Sequence, residues 1–146
     1  MIDRKHIGRT SKPHTVEVEK GRLRFFAKAI GETNPVYLDE EAAKAAGYRS
    51  LPAPPTFLFS IDLEQDNPFA DIEDMGINLG KILHAEQAFT YHAPICAGDS
   101  ITLQSEVVEI FDKKGGALEF LVQNYQAKNQ NDELVAEMRR TLVVRN

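Results

Sequence analysis

The segment from Thr56 to Leu63 constrains the fold more than any other part of the chain. Pro54 and Pro55 stand just before it, and proline suits the first turn of a helix, where backbone N–H groups have no partner. The apolar side chains of this predicted helix point almost all the way round its axis. Because a helix of that kind is buried on most sides, the rest of the chain must supply a surface that wraps around it.

The C-terminal half supplies that surface as strands. Alternating and branched apolar residues predict four strands, separated by turns that contain glycine, proline and asparagine. The predicted strands cover residues 82–92, 100–111, 118–128 and 134–144. Since the links between the last three are short, we expect these strands to pair antiparallel.

The N-terminal half predicts a short strand and two helices. Residues 15–18 alternate as a strand does, and apolar residues recur at helical spacing between Leu23 and Ile30. Asp39 is a suitable cap for a second, short helix over 40–46. Residues 1–13 are expected to form a polar, poorly packed lead-in. Residues 64–80 contain five acids and no base, and predict an acidic loop long enough to act as a lid.

These elements predict an α+β domain over residues 1–146, with helices clustered early and an antiparallel meander after them. One buried helix wrapped by such a sheet describes a hot-dog fold. A single hot-dog sheet covers only one side of its helix. We therefore expect the chain to form a dimer.

Composition and charge exclude several functional classes. The chain has 146 residues and a net charge of −5, with basic residues scattered among acids, which argues against nucleic acid as a partner. No apolar run reaches the roughly 20 residues of a membrane span. The N-terminus lacks the apolar stretch of a signal peptide, so a cytoplasmic location is expected. Cys96 is the only cysteine, which excludes an intrachain disulfide, and neither a metal site nor a cofactor is predicted.

Three segments in series resemble the MaoC-like dehydratases and (R)-specific enoyl-CoA hydratases. They are residues Gly31–Tyr37, Ala53–Phe57 and Leu83–Asp99, and the resemblance extends over residues 7–145. The chain is most similar to the branch called the N-terminal MaoC-like, or fatty-acid-synthase-I-like, dehydratase domain. Non-catalytic subunits of heterodimeric 3-hydroxyacyl dehydratases belong to that branch. The resemblance therefore implies a hydro-lyase of fatty acid metabolism that acts on acyl thioesters.

Hydration of an enoyl thioester needs a base for the water, an acid for the α-carbon and N–H donors for the thioester oxygen. In catalytic relatives the loop reads Gly-Asp-x-Asn-Pro-x-His, and a glycine N–H at the start of the buried helix polarises the thioester. Asn34 is retained here. Glu32 replaces the aspartate, Tyr37 replaces the histidine, and Pro55, which has no N–H, stands where the glycine is expected.

Two interpretations follow from these departures. The chain is either the companion of a catalytic MaoC-like partner, where it shapes the acyl tunnel, or a self-sufficient homodimer with a rearranged site. In the second case Glu32 is the base, His84 or Tyr37 the acid, and the Thr56 N–H the oxyanion donor. In both, the substrate is a thioester of coenzyme A or acyl carrier protein. Its predicted contacts are Asn34, Pro55, Thr56, Phe57 and Gln87.

Two further functions stay open, and each predicted site residue also has a structural interpretation. Hot-dog folds host acyl-CoA thioesterases, for which Glu32 or Glu86 is a candidate carboxylate, and the chain is also compatible with a non-enzymatic acyl-CoA binding module. Simple alternation over 82–92 places His84 beside Glu86 on the polar face and Gln87 on the apolar face. Glu32 and Asn34 also suit an ordinary loop, and Tyr37 a ring that packs on the second helix.

Overall fold

The computed structural model describes residues 1–146, which build a five-stranded antiparallel sheet. The strands are β1 (His14–Glu17), β2 (Ile82–Tyr91), β3 (Ser100–Lys113), β4 (Leu118–Lys128) and β5 (Leu134–Arg145). The four long strands predicted from the sequence are confirmed to within two residues at each end. The order of the strands across the sheet is β1-β3-β4-β5-β2.

Four short helices accompany the sheet. The Asp39 side chain accepts a hydrogen bond from the backbone N–H of Ala42 (3.2 Å) and so caps the second helix, as predicted. None of the helices has the length and apolar character that crossing a bilayer requires. The helices are α1 (Lys20–Ala29), α2 (Glu40–Ala45), α3 (Phe57–Asp62) and α4 (Ala70–Asp74).

Helix α3 is the central helix of the fold. Phe57, Leu58 and Ile61 are almost fully buried in a cluster with residues of β3, β4 and β5. Burying each such side chain contributes about 1.5–3 kcal/mol to the hydrophobic stabilisation. The predicted α+β hot-dog fold is therefore confirmed. The helix is shorter than expected, because the two prolines form a turn before it instead of its first turn.

Strand β2 forms one edge of the sheet and contains a bulge. His84 pairs with Leu142 and Glu86 with Thr141, so Ala85 is an extra residue without a partner on β5. Gln87 pairs with Arg140, two residues from Leu142 on the same strand, and directly paired residues share a face. His84 therefore lies on the same face as Gln87, and the predicted placement beside Glu86 is wrong. Simple alternation fails here because the extra residue shifts the phase of the strand.

The segment 64–80 differs from the expected open loop. It contains α4 and three buried apolar residues, Ile72, Met75 and Ile77. These side chains pack with residues of β3, β4 and β5 in a second core cluster. The acids between them concealed this spacing in the sequence. The middle of the segment is therefore part of the core.

Residues 1–13 also differ from the expected poorly packed lead-in. The backbone of Gly8 donates to Val107 O (2.8 Å), and Ser11 donates to Ser105 O (2.8 Å). Ile2 packs against the second core cluster. Strand β1 pairs only with the beginning of β3, so the next backbone groups of β3 are available to this segment.

Candidate functional site

Two cavities lie near opposite ends of α3, and both use residues of β2. The tyrosine cavity, near the start of α3, has a volume of about 300 Å³. The apolar cavity, near the end of α3, has a volume of about 420 Å³. The tyrosine cavity is lined by Tyr37, Tyr48, Pro52, Ala53, Pro55, Tyr91, His92, Ala93, Pro94 and Ile95. The apolar cavity is lined by Phe59, Leu63, Phe69, Ile72, Leu79, Ile82, His84, Arg140 and Leu142.

Two tyrosines of the tyrosine cavity have raised pKa values and are poor bases. The Tyr91 hydroxyl donates to the carbonyl oxygen of Pro55, which ties β2 to the turn before α3. Burial, with a smaller effect of Tyr37, raises the pKa of Tyr91 to about 12. Burial also raises the pKa of Tyr37, and the neighbouring Tyr48 and Glu32 add to that shift. Tyr37 and Tyr91 therefore keep their protons at neutral pH.

The loop before Tyr37 uses its own polar side chains to hold its shape. Glu32 Oε1 accepts from the backbone N–H groups of Thr33 (2.9 Å) and Asn34 (2.9 Å). Asn34 Oδ1 accepts from the N–H of Val36 (3.1 Å) and begins the turn that carries Tyr37. These hydrogen bonds fit the structural interpretation of Glu32 and Asn34. Their roles toward a substrate stay predictions.

At the start of α3, the predicted site residues have different environments. Pro55 offers only its carbonyl, which Tyr91 occupies. Thr56 is exposed, and its backbone N–H donates to no acceptor in the chain. Phe57 is 2% exposed and its ring packs edge-on against Phe26, with centroids 5.3 Å apart. Phe57 is thus a core residue, whereas Thr56 carries the free donor.

His84 lies in the apolar cavity and not with Tyr37. Its ring packs against Phe59 with centroids 5.1 Å apart, and its Nε2 donates to the carbonyl of Glu86 (3.1 Å). Along β2, His84 and Tyr91 are separated by roughly 20 Å at the usual rise per residue. The structure therefore brings Tyr37 and Pro55 to one cavity and places His84 at the other.

Gln87 lies on β2 between these two cavities. Its amide nitrogen and oxygen are both buried, and neither has a hydrogen-bond partner. A buried amide without partners is costly, and native structures contain few of them. The predicted need of Gln87 for a partner is therefore unmet within this chain.

A buried ion pair beside the apolar cavity escaped the sequence analysis. Asp62, at the end of α3, and Arg140, on β5, are 4% and 5% exposed, with Oδ2 and Nη1 3.0 Å apart. Arg140 also donates to Gln123 Oε1 (2.8 and 3.3 Å), and it stacks over the Tyr125 ring at 5.1 Å from the centroid. Burial raises the pKa of Asp62, and the charge of Arg140 opposes that shift. The sequence contains one signal for this ion pair, which is that charged residues occur on helix and strand faces predicted to be buried.

Asp99 fixes the turn over residues 94–99, of which Pro94 and Ile95 line the tyrosine cavity. Its carboxylate accepts from both terminal nitrogens of Arg49 (2.8 and 2.9 Å), from the N–H of Cys96 (2.9 Å) and from Gln130 (3.1 Å). Burial alone would raise the pKa of Asp99, but these donors hold it below its usual range. Cys96 is buried, and that burial raises the pKa of its thiol, which fits a structural cysteine.

Comparisons with known proteins agree with this architecture. A family model described as "FAS1-like, dehydratase domain region" matches residues 5–138. A UPF0336 protein of Streptomyces avermitilis is 38% identical over 110 residues, which cover 75% of this chain and 73% of that protein.

Solved structures extend the likeness to the whole fold. The C-terminally truncated HadBC (3R-hydroxyacyl-ACP dehydratase) complex of Mycobacterium tuberculosis contains a similar chain, with 26% identity and a TM-score of 0.82. That match covers 96% of this chain and 98% of the other. A MaoC-like dehydratase of Rhodospirillum rubrum shares the fold, with 21% identity and a TM-score of 0.73, over 96% of this chain and 92% of that one.

Proposed function

The chain belongs to the family of FAS1-like dehydratase domain regions, and from that premise we propose that it is the companion subunit of a 3-hydroxyacyl-thioester dehydratase or (R)-specific enoyl hydratase. Its partner is a catalytic MaoC-like chain, and its substrate is a thioester of coenzyme A or acyl carrier protein. The catalytic partner supplies the base and the acid. This chain helps to shape the space for the acyl group.

The state of the predicted catalytic groups carries this proposal. One oxygen of Glu32 is occupied by two backbone N–H groups of its own loop, and the Tyr37 pKa is raised. Pro55 has no N–H, and Tyr91 occupies its carbonyl. His92 is the one histidine that lines the tyrosine cavity with Tyr37, and its Nε2 is engaged with Glu137 (2.8 Å). This arrangement suits a chain that leaves the chemistry to a partner.

The free edge of β2 supports an assembly with a second hot-dog chain. Leu83 and Tyr91 on this strand are 47% and 39% exposed. Large apolar side chains at an exposed sheet edge favour pairing with another chain. The similar chain in the HadBC complex also works in a multi-chain dehydratase, which supports a catalytic partner for this one.

The two cavities suggest how the substrate lies. The thioester end is placed in the tyrosine cavity, beside Pro55 and the exposed Thr56. The acyl chain follows α3 past Gln87 toward the apolar cavity, whose lining is mainly hydrophobic. An apolar cavity of this size is within the range of small-molecule sites.

A self-sufficient homodimer is the second candidate, and two observations favour it. The free N–H of Thr56 is available as an oxyanion donor at the start of α3. Tyr37 lies close enough to Glu32 for the charge of the Glu32 carboxylate to raise the pKa of the Tyr37 hydroxyl. A proton donor and a carboxylate are therefore neighbours.

Hydration of crotonyl-CoA by the purified chain, alone and with any copurifying chain, tests the proposal. We expect activity only with the partner present, and the Glu32→Ala, Tyr37→Phe double variant should leave that activity within a few-fold of wild type. Glu106→Ala, at an exposed position on β3, is the control. Turnover by the chain alone that vanishes in the double variant would instead establish the homodimer. Release of free coenzyme A without a 3-hydroxyacyl product would indicate a thioesterase, and binding without turnover under every condition a binding module.

A further inference from the structure

We propose that the apolar cavity binds an acyl chain that carries a neutral oxygen substituent, a hydroxyl or keto group, and that Arg140 and Gln87 bind this oxygen. The inference rests on the proposed function and deepens it by naming the class of acyl chain. The oxygen concerned is remote from the thioester and belongs to the part of the acyl chain that lies beyond Gln87.

The lining of the apolar cavity gives the first argument. Seven of its nine lining residues are hydrophobic, and the other two are His84 and Arg140. Small-molecule sites typically combine such a lining with a few polar groups that fix the orientation of the ligand. The Nε2 of His84 already donates to Glu86 O. Arg140 is therefore the cavity's main hydrogen-bond donor for a ligand oxygen.

The hydrogen bonds of Arg140 leave donors available. A guanidinium has five N–H groups, and three of them point to Asp62 and Gln123. The remaining two can donate to a ligand oxygen. The charge of Arg140 is already balanced by Asp62 at 3.0 Å, so a carboxylate in the cavity would add an unbalanced buried charge. A hydroxyl or keto oxygen accepts the same hydrogen bonds without that cost.

Gln87 gives an independent argument. It is paired with Arg140 across β2 and β5, and paired residues project their side chains from one face of the sheet. Both polar atoms of its amide are buried without a partner. An amide donates and accepts, which matches a hydroxyl and, through its N–H groups, a keto group. The pair thus places unused polar groups side by side on the sheet face to which Arg140, a lining residue of the apolar cavity, belongs.

Distance separates this region from the thioester. Gln87 is four residues from Tyr91 along β2, or roughly 13 Å at the rise of a strand. Tyr91 contacts Pro55 at the tyrosine cavity, where the thioester is placed. The oxygen recognised by Gln87 and Arg140 is therefore neither the thioester oxygen nor the 3-hydroxyl.

Binding measurements with matched acyl thioesters test the inference. The protein, purified with any copurifying chain, is titrated calorimetrically with hexadecanoyl-CoA and with isomers hydroxylated at successive positions in the distal half. A thioester of equal length with a terminal carboxylate is a third ligand. The variant is Gln87→Met, which keeps the length of the side chain and removes the amide. Gln126→Met, at an exposed position on β4, is the matched control.

We expect one hydroxylated isomer to bind about threefold to tenfold more tightly than the plain chain, because its hydroxyl gains hydrogen bonds from Gln87 and Arg140 but loses those to water. In Gln87→Met this ratio should fall, because only Arg140 then contacts the oxygen, and in Gln126→Met it should persist unchanged. The inference is overturned if the plain chain binds as tightly as every isomer, if Gln87→Met keeps the full preference, or if the carboxylate binds most tightly. Failure of all these acyl chains to bind, both as thioesters of coenzyme A and as thioesters of acyl carrier protein, would refute the proposed function itself, and this inference with it.

Discussion

Replacing Arg140 by methionine should lower the free energy of unfolding by about 3–5 kcal/mol, the usual cost of leaving one member of a buried ion pair alone. The size follows from the burial of both partners, which are only 4% and 5% exposed. Without Arg140, Asp62 has to keep a charge in the interior or take up a proton. Gln123 Oε1 also loses its donors.

The Asp62→Leu, Arg140→Met double variant separates these effects. It removes both charges and leaves the acceptor of Gln123 unpaired, which costs about 1–3 kcal/mol. The Tyr125 hydroxyl loses Asp62 as a partner but keeps Ser105. We therefore expect the double variant to be more stable than Arg140→Met alone. Adding Gln123→Leu should recover most of the remaining loss, because apolar replacement of a whole buried polar network is often neutral.

The pH dependence of Arg140→Met follows from Asp62. Burial already raises the pKa of Asp62 in the native protein, and removal of the opposing Arg140 charge raises it further. A carboxyl group whose pKa is raised in the folded state favours folding when it is protonated. The loss of stability is therefore largest above the folded pKa and shrinks as the pH falls toward the ordinary value of 3.8.

Urea unfolding followed by circular dichroism measures these differences, with all variants compared at one protein concentration because association changes apparent stability. Asn124→Leu, at an exposed position on β4, is the control and should change stability by less than about 0.5 kcal/mol. A double variant as unstable as Arg140→Met, together with a loss that is the same at pH 5 and pH 7, would refute the reasoning from a stranded buried charge.

Three further predictions concern the polar groups of Asp99, Gln87 and Tyr91. Asp99→Asn should cost about 2–3 kcal/mol at neutral pH, because charge-assisted hydrogen bonds from Arg49 are lost. The pKa of Asp99 is lower in the folded protein than in the unfolded chain. The contribution of Asp99 to stability is therefore present above its ordinary pKa and is lost as the pH falls through its folded pKa. Urea unfolding at two pH values should show that Asp99→Asn costs less stability in acid. Gln87→Met should raise the free energy of unfolding by about 1–3 kcal/mol, since it removes an amide without partners, and a lower melting temperature would contradict that account. In an ultraviolet pH titration, Tyr91→Phe should remove the tyrosine that ionises near pH 12, and an unchanged titration curve would show that Tyr91 is not the perturbed group.

The sheet and the central helix could be predicted because burial imposes a period on the sequence. Much of strands 100–113 and 118–128 alternates between buried and less buried residues, and the helix after Pro55 has apolar residues almost all the way round its axis. His84 could not be placed, because a single extra residue at Ala85 changes the phase of β2 without any local sequence signal. Periodicity is reliable only where the backbone is regular.

The site was less predictable because its contacts join distant parts of the chain. Asp62 and Arg140 are 78 residues apart, and neither residue type indicates its partner. The core role of Ile72 and Met75 was concealed by the acids around them, which suggested a solvated loop. Glu32 and Asn34 matched a catalytic motif, yet their hydrogen bonds show how well the same residues serve a turn. Residue type alone does not separate these uses.

The bulge at Ala85 limits which chains can pair with the free edge of β2. An edge strand offers a regular row of backbone donors and acceptors, and an extra residue interrupts that row and bends the strand. A straight partner strand can stay in register only on one side of Ala85, either along Ile82–His84 or along Glu86–Tyr91. A partner that uses the whole edge must carry a matching irregularity. The extra residue thus makes backbone pairing at this edge selective. It favours a neighbouring strand with a matching irregularity and disfavours the regular strand pairing that leads to aggregation.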